Sequence, residues 1–167
     1  MKHFEQFLKM NEGKWLTQST IYDLNTNNKI SFQSQIISKI GYSNSKQIDL
    51  ESLLNSEDNY FTNSISVVKN NIRETSVNYF LNPQYDQEIK GYRGKFIRYN
   101  TSIDVKNILE GYFVLQADGS FILNSKYKEL QIYEKYQFVS NNLRLYINIT
   151  KQFGFSIITA FNSDIRI

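Results

Sequence analysis

Polar side chains recur at every second position along two adjoining strand-like segments in the last third of the chain, residues 129–167. Glu134 and Tyr136 share one face of the first segment, and Arg144 begins the equivalent face of the second, after an Asn-Asn turn at 141–142. The polar residues that follow Arg144 on this face are Tyr146, Asn148 and Thr150. In a small barrel such a face can line a cavity, where a carboxylate, a guanidinium and phenols converge on a ligand.

Two orientations of this face are compatible with the alternation. Inside a barrel, Arg144 would hold a ligand carboxylate bidentately and Glu134 would accept hydrogen bonds from ring N–H groups, a combination that suits a tetrapyrrole. On the surface, the two residues would form an exposed salt bridge, which contributes about 0–1 kcal/mol. The opposite face, with Leu143, Leu145 and Ile147, is the more apolar one, so patterning alone turns Arg144 outward. The orientation of Arg144 stays open at this point.

Composition excludes several kinds of catalytic site. The chain has 167 residues, which suits one domain spanning residues 1–167, and its lack of cysteine removes thiol catalysis and thiolate metal sites. His3 is the sole histidine, so neither a Ser-His-Asp triad nor a histidine-based zinc site is expected. We therefore expect no metal ligands.

Charge and hydropathy favour neither nucleic acid nor membrane as a partner. The net charge of +3 is small and the basic residues are scattered. No apolar run reaches the roughly 18 residues of a membrane span, and the N-terminus carries acidic and aromatic residues where a signal peptide would be apolar. Abundant Asn, Ile, Tyr and Phe reflect AT-rich codons, which indicate an AT-rich genome such as that of a plastid or a parasite.

The elements that must position the polar face are mostly strands. Phe4, Phe7 and Leu8 have helical spacing before Gly13, which predicts a short helix over 4–11, and a second short helix is expected between Lys46 and Asp58. Turns are expected at 25–28, 69–71, 82–83, 124–126 and 141–142, among other positions. The predicted strands are 15–24, 30–40, 60–68, 72–81, 92–99, 108–115, 121–123, 127–139, 143–152 and 155–167.

Consecutive hairpins of this kind predict a mainly β protein. Closure removes the exposed edges of such a meander, so we expect a lipocalin-like up-and-down antiparallel β-barrel of about ten strands with one or two short helices. Trp15, at the entry to the first strand, is expected to plug the closed end of this barrel.

Five stretches of the sequence resemble the S-type phycobiliprotein lyases (CpcS/CpeS). Residues 13–20 resemble the start of the family's first strand, and 111–119 its hairpin leading to an acidic residue. In the 134–145 stretch the matched residues are Glu134, Phe138, Asn142, Leu143, Arg144 and Leu145, and the closing motifs are matched at 154–156 and 161–166. Ser19 and Tyr146 stand where the family carries arginines, and Gln137 replaces a Trp.

The resemblance implies an enzyme that binds a phycobilin (phycoerythrobilin or phycocyanobilin) noncovalently and attaches it by a thioether bond to a cysteine of an apo-phycobiliprotein subunit. It implies catalytic roles for Glu134 and Arg144: Glu134 or Asp164 would accept pyrrole N–H bonds, and Arg144 would hold a propionate. Ser19, Tyr146 and Asn148 are expected to bind the bilin as well. The linear tetrapyrrole is a substrate, so no permanently bound cofactor is expected.

The resemblance also permits a homodimer, and it places the protein in the plastid (chloroplast) stroma, or in the cytoplasm if the source is a cyanobacterium. One alternative is a noncovalent bilin or lipid carrier of lipocalin type without transfer activity. Another is a nucleic-acid module in which aromatic residues stack on bases beside Arg93, Lys95 and Arg98. The aromatic residues in question are Tyr79, Phe80, Tyr92, Phe96 and Tyr99.

Overall fold

The computed structural model describes residues 2–42, 60–100 and 108–167, which form one helix and ten strands. The expected second helix between Lys46 and Asp58 lies outside the described residues. The elements are α1 (Lys2–Asn11), β1 (Gly13–Asp23), β2 (Asn28–Tyr42), β3 (Tyr60–Lys69), β4 (Ile72–Asp86), β5 (Gly91–Asn100), β6 (Ile108–Leu115), β7 (Phe121–Tyr127), β8 (Leu130–Ser140), β9 (Leu143–Gln152) and β10 (Phe155–Arg166).

The ten strands close into a barrel in the order β1-β10-β9-β8-β7-β6-β5-β4-β3-β2. All strand pairs are antiparallel, and β1 pairs with β10 along nine residues, from Trp15 opposite Arg166 to Asp23 opposite Ile158. This pairing satisfies both edges of the meander, which is the physical advantage of closure. The predicted up-and-down barrel of about ten strands is confirmed.

Asparagines at positive φ make two of the tight turns. Asn70 and Asn71, between β3 and β4, have φ of 50° and 64°, which is the conformation of a two-residue hairpin whose twist matches the strands. Asn27 has φ of 54° before β2, and the carboxylate of Asp23 accepts the backbone N–H of Asn25 at 2.9 Å in the same turn. The turn signals in the sequence are correct at both places.

Two predicted turns are wrong. At 82–83 the chain continues as β4 to Asp86, with a register shift between Leu81 and Gln84, because a bulge tolerates Pro83, which has no N–H to donate. At 124–126 the chain continues as β7, and the turn falls at Lys128, whose φ is 55°. Pairing with strands on both sides keeps Ser125 in the sheet, so tertiary structure overrides its turn propensity.

An aromatic cluster around α1 closes one end of the barrel. Phe4 is fully buried, its ring stacks on Phe113 with centroids 4.9 Å apart, and it meets Phe61 edge-on at 5.5 Å. The buried residues of this cluster are Phe4, Phe7, Leu8, Phe61, Phe80, Tyr92, Phe96, Phe113, Leu115, Phe121 and Leu123. We call α1 with these residues the aromatic plug.

Trp15 fastens the plug to the barrel wall. It is fully buried, and its indole N–H donates to the carbonyl of Asn11 at 3.1 Å. The guanidinium of Arg166 lies 4.2 Å from the Trp15 ring centroid and donates to the carbonyls of Met10 and Glu12, at the end of α1. Trp15 therefore lies at the closed end, as expected. None of the helical residues that the structure describes forms a helix long and apolar enough to cross a membrane.

Candidate functional site

A cavity of about 270 Å³ lies inside the barrel, next to the aromatic plug. Strands β1 and β2 line it with the small side chains of Thr17, Ser19, Ser34 and Ser38. The remaining polar lining comes from α1, β3, β4, β5, β8, β9 and β10, and consists of Asn11, Asn63, Ser76, Asn78, Arg98, Glu134, Tyr136, Arg144, Tyr146, Asn162 and Asp164. The side of the cavity formed by β1 and β2 therefore carries neutral hydroxyl groups, and the charged side chains lie on β5, β8, β9 and β10. We call the side formed by β1 and β2 the hydroxyl wall.

The polar face of β8 and β9 points into the barrel. Glu134 is 1% exposed and Arg144 is 5% exposed, whereas Leu145 on the opposite face is 44% exposed. The interpretation of Glu134 and Arg144 as a surface salt bridge is therefore wrong, and so is the outward orientation that patterning favoured. Burial of these charges is possible because each has a partner of opposite charge, the partly buried Arg98 for Glu134 and the buried Asp164 for Arg144.

Glu134 lies at the centre of the first charged group. The hydroxyl of Tyr146 donates to its Oε1 at 2.7 Å, and the Nη1 of Arg98 lies 3.2 Å from Oε1 and 3.0 Å from Oε2. Tyr136 stacks on Tyr146 with ring centroids 4.4 Å apart, and its hydroxyl lies 3.5 Å from the same oxygen. This arrangement follows from the β8–β9 register, which pairs Tyr136 with Tyr146 and places Glu134 diagonally opposite Tyr146.

Burial, followed by the negative charge of Glu134, raises the pKa of Tyr146 well above its ordinary value, and the same two causes raise the pKa of Tyr136. Both phenols are therefore protonated near neutral pH and can donate to Glu134. Burial acts against the charge of Arg98, but the negative charge of Glu134 and the hydrogen bond to it outweigh burial and raise the pKa of the guanidinium. Arg98 is a permanent cation in this site.

The second charged group consists of Arg144, Asp164 and Asn11. Arg144 and Asp164 are register partners on β9 and β10. The Nε and Nη2 of Arg144 lie 2.8 and 2.6 Å from Oδ2 of Asp164, and its Nη1 donates to Oδ1 of Asn11 at 2.7 Å. Its guanidinium also lies 4.6 Å from the ring centroid of Trp15. Each nitrogen of Arg144 thus has an acceptor next to the aromatic plug.

Glu134 and Asp164, the two carboxylates of the cavity, each keep one oxygen without a hydrogen bond. Among the described residues, Oε2 of Glu134 and Oδ1 of Asp164 are buried and have no hydrogen-bond partner, as does Oγ1 of Thr17 in the same cavity. The contact between Oε2 of Glu134 and Arg98 is an ion pair that lacks hydrogen-bond geometry. Unpaired buried acceptors are costly and rare in folded proteins. A ligand with several N–H donors would satisfy both carboxylates.

Five of the six residues predicted from the sequence line the cavity, namely Ser19, Glu134, Arg144, Tyr146 and Asp164. Asn148 does not line it, but its amide donates to the hydroxyl of Tyr146 at 3.2 Å. Sequence reasoning missed Arg98 and Asn78. Arg98 follows Phe96 by two residues in a strand, so it shares the inward face of that core residue, and this signal was available in the sequence.

The aromatic residues considered for base stacking belong partly to the core. Phe80, Tyr92 and Phe96 are 1%, 8% and 0% exposed and form part of the aromatic plug, so their faces are not available to nucleic-acid bases. The described part of the chain also contains no group of three or more His, Cys, Asp or Glu side chains that could hold a metal ion.

Comparison with known proteins extends over the whole chain. Residues 3–167 match a family model described as CpeS-like protein. The chain is 32% identical over 168 residues to a chromophore lyase CpcS/CpeS homolog of Pyropia yezoensis, and 29% identical over 169 residues to one of Porphyra purpurea, with 100% of both chains covered in each case. The solved structure of the S-type phycobiliprotein lyase CPES from Guillardia theta superposes with a TM-score of 0.71 at 19% identity, covering 98% of this chain and 92% of that one.

Proposed function

The chain belongs to the CpeS-like protein family, and from this premise we propose that it is a phycobiliprotein chromophore lyase. It binds a linear tetrapyrrole, phycoerythrobilin or phycocyanobilin, noncovalently in the barrel. It then attaches this phycobilin by a thioether bond to a cysteine of an apo-phycobiliprotein subunit. The bilin is a substrate and leaves with the acceptor subunit.

One observation carries the proposal: two buried carboxylates in one cavity each hold an oxygen without a hydrogen bond. The pyrrole N–H groups of a bilin are donors of the required kind, and a protonated bilin is in addition a cation. Glu134 and Asp164 would accept these N–H groups and stabilise the positive charge. A fatty acid offers no such donors, so the cavity suits a tetrapyrrole better than a simple lipid.

The other predicted residues support these two carboxylates. Tyr146 donates to Glu134, and Asn148 donates to Tyr146, so both fix the orientation of the carboxylate. Arg144 binds Asp164 through two nitrogens and would hold it in place for the ligand. Ser19 is small, buried and on the hydroxyl wall, where it leaves room for a ring.

The reaction is an addition. The thiol of the acceptor cysteine adds across the exocyclic double bond of the bilin A-ring, so that sulfur bonds to the outer carbon and a proton ends on the ring carbon. No oxidant or reductant is needed. This chain has no cysteine, so the thiol comes from the partner, and the barrel contributes orientation, charge stabilisation and shielding of a reactive chromophore.

The size of the cavity bears on how the bilin is presented. A volume of about 270 Å³ is near the lower end of small-molecule sites, which hold roughly 300–1,000 Å³. Four linked rings exceed this space, so part of the bilin would lie outside it or displace cavity side chains. An exposed ring is what an incoming cysteine requires.

Membership of this family also bears on the oligomeric state and the cellular location of the protein. On the outer face of the barrel, Leu145, Phe161 and Ile165 are 44%, 48% and 53% exposed and lie on adjacent strands with Leu16. This outer apolar strip supports a homodimer in which a second copy covers it.

The relatives from the red algae Pyropia yezoensis and Porphyra purpurea support a plastid location.

The test has two stages. The purified protein is mixed with phycocyanobilin and with phycoerythrobilin, and a red-shifted, intensified absorption band is expected for at least one of them. Unchanged spectra with both bilins would refute the proposal. The bilin-loaded protein is then incubated with an apo-phycobiliprotein subunit, and denatured products are examined for chromophore that survives acid. Binding without acid-stable transfer would leave the carrier function in its place.

A further inference from the structure

Two cations line the cavity in the described part of the chain, Arg98 and Arg144, and their surroundings differ. Every nitrogen of Arg144 has an acceptor, on Asp164 or Asn11, and its side chain is 6% exposed. The side chain of Arg98 is 20% exposed. Its Nε donates to Oδ1 of Asn78 at 2.7 Å, and its Nη1 contacts Glu134, but its Nη2 has no partner among the described residues.

The position of Arg98 in β5 places it above the aromatic plug. Phe96, two residues earlier on the same face, belongs to the plug, and the guanidinium of Arg98 lies 5.8 Å from its ring centroid. Arg144 instead contacts Asn11 at the end of α1. Within the described ranges, Arg98 is therefore the cavity cation that has a nitrogen without an acceptor.

Charge balance indicates what that group is. In the structure Arg98 and Glu134 neutralise each other. A ligand whose N–H groups carry positive charge would bind Glu134 and leave Arg98 without a counter-ion. A carboxylate on the same ligand would replace it, and a guanidinium binds a carboxylate well through a pair of N–H groups.

We propose that Arg98 forms a carboxylate-binding subsite of the cavity, in which its Nη2 nitrogen and then its Nη1 nitrogen bind an anionic arm of the ligand. The Arg98–Glu134 pair is thus exchanged on binding: Glu134 passes to ring N–H groups and Arg98 to the acid. Arg98 is a positioning residue that fixes the orientation of the ligand in the barrel. This inference rests on the proposed bilin-binding function.

The experiment compares phycocyanobilin, which has two free propionates, with its dimethyl ester, which has the same ring N–H groups and no carboxylate. Both are titrated into wild-type protein and the variants Arg98→Gln and Arg98→Lys, with binding followed by absorbance. Arg93→Gln is the control, because Arg93 is 67% exposed and pairs with Asp86 outside the cavity.

Wild type and Arg93→Gln should bind the free acid about tenfold to a hundredfold more tightly than the ester, the range expected for a hydrogen-bonded charge pair. Arg98→Gln should bind the two forms equally, with ester affinity close to that of wild type. Arg98→Lys should keep part of the preference, since an ammonium retains the charge but not the forked geometry.

Other outcomes separate the inference from the function it rests on. If wild type prefers the acid and Arg98→Gln keeps the full preference, or loses affinity for both forms alike, Arg98 does not bind the carboxylate. If wild type binds neither form, the bilin function fails and the inference with it. Should Arg98→Gln not fold, Arg98→Lys gives the decision, because it keeps a positive charge opposite Glu134: an acid-to-ester ratio equal to that of wild type would show that Arg98 does not bind the carboxylate.

Discussion

The exchange of a buried carboxylate for its neutral isostere, Glu134→Gln, tests both the stability and the chemistry of the cavity. Gln keeps the shape and an oxygen for the Tyr146 hydroxyl, but it removes the negative charge that faces Arg98 at 3.0 Å. Removing one partner of a fully buried ion pair costs about 3–5 kcal/mol, because the other charge is left uncompensated. Arg98 is 20% exposed and keeps its bond to Asn78, so we expect a loss of about 2 kcal/mol in the free energy of unfolding.

Urea unfolding followed by circular dichroism measures this loss, with Glu110→Gln as the control on the exposed face of β6. The variant Arg98→Met/Glu134→Gln, in which both charges are gone, should recover to within about 1 kcal/mol of wild type. In the bound state, phycocyanobilin should show a weaker red shift in Glu134→Gln, since no carboxylate stabilises the protonated rings. Stability and bound spectrum both equal to wild type would refute the role of Glu134.

Three further predictions follow from the same structure. Arg144→Met should lower the free energy of unfolding, measured in urea, by about 3–5 kcal/mol, because it leaves the fully buried Asp164 unpaired. This loss should exceed the one caused by removing Arg98. The pKa values of Tyr136 and Tyr146 are raised in the folded protein, so their contribution to stability is fully present below the ordinary tyrosine pKa of 10.0. The free energy of unfolding should therefore fall as the pH rises above 10.0, and it should fall less steeply in Tyr146→Phe. Equal slopes for wild type and Tyr146→Phe in urea unfolding series between about pH 9 and about pH 11 would contradict this prediction. Leu145→Lys in the outer apolar strip should convert a dimer to a monomer in sedimentation velocity, whereas a wild-type monomer would contradict the dimer.

The sequence was sufficient to predict the barrel and five of the polar and charged residues that line the cavity. Strict alternation in β8 and β9 placed Glu134, Arg144 and Tyr146 on one face, and closure of a meander follows from the need to pair its edges. The sequence did not reveal which face of β8 and β9 points into the barrel, because the leucines opposite Arg144 form an equally good core pattern. That choice depends on buried charges finding partners, which is a property of the closed barrel.

The partners themselves lie far apart in the chain. Arg144 binds Asp164, 20 residues away, and Glu134 binds Arg98, 36 residues away. Both contacts depend on strand register and on which strands line the same part of the cavity, and neither is visible in local patterns. The two wrong turns have a related cause, because Pro83 and Ser125 carry turn signals that pairing with neighbouring strands overrides.

Trp15 gives the molecule an intrinsic optical reporter. It is the single tryptophan, and it contacts α1 through the carbonyl of Asn11 and the cavity through Arg144, 4.6 Å from its ring centroid. A ligand that binds Asp164 changes the contacts between Asp164 and Arg144, and the emission of an indole is sensitive to a nearby charge. Emission of this indole should therefore change when a ligand alters the contacts of Arg144 beside the aromatic plug.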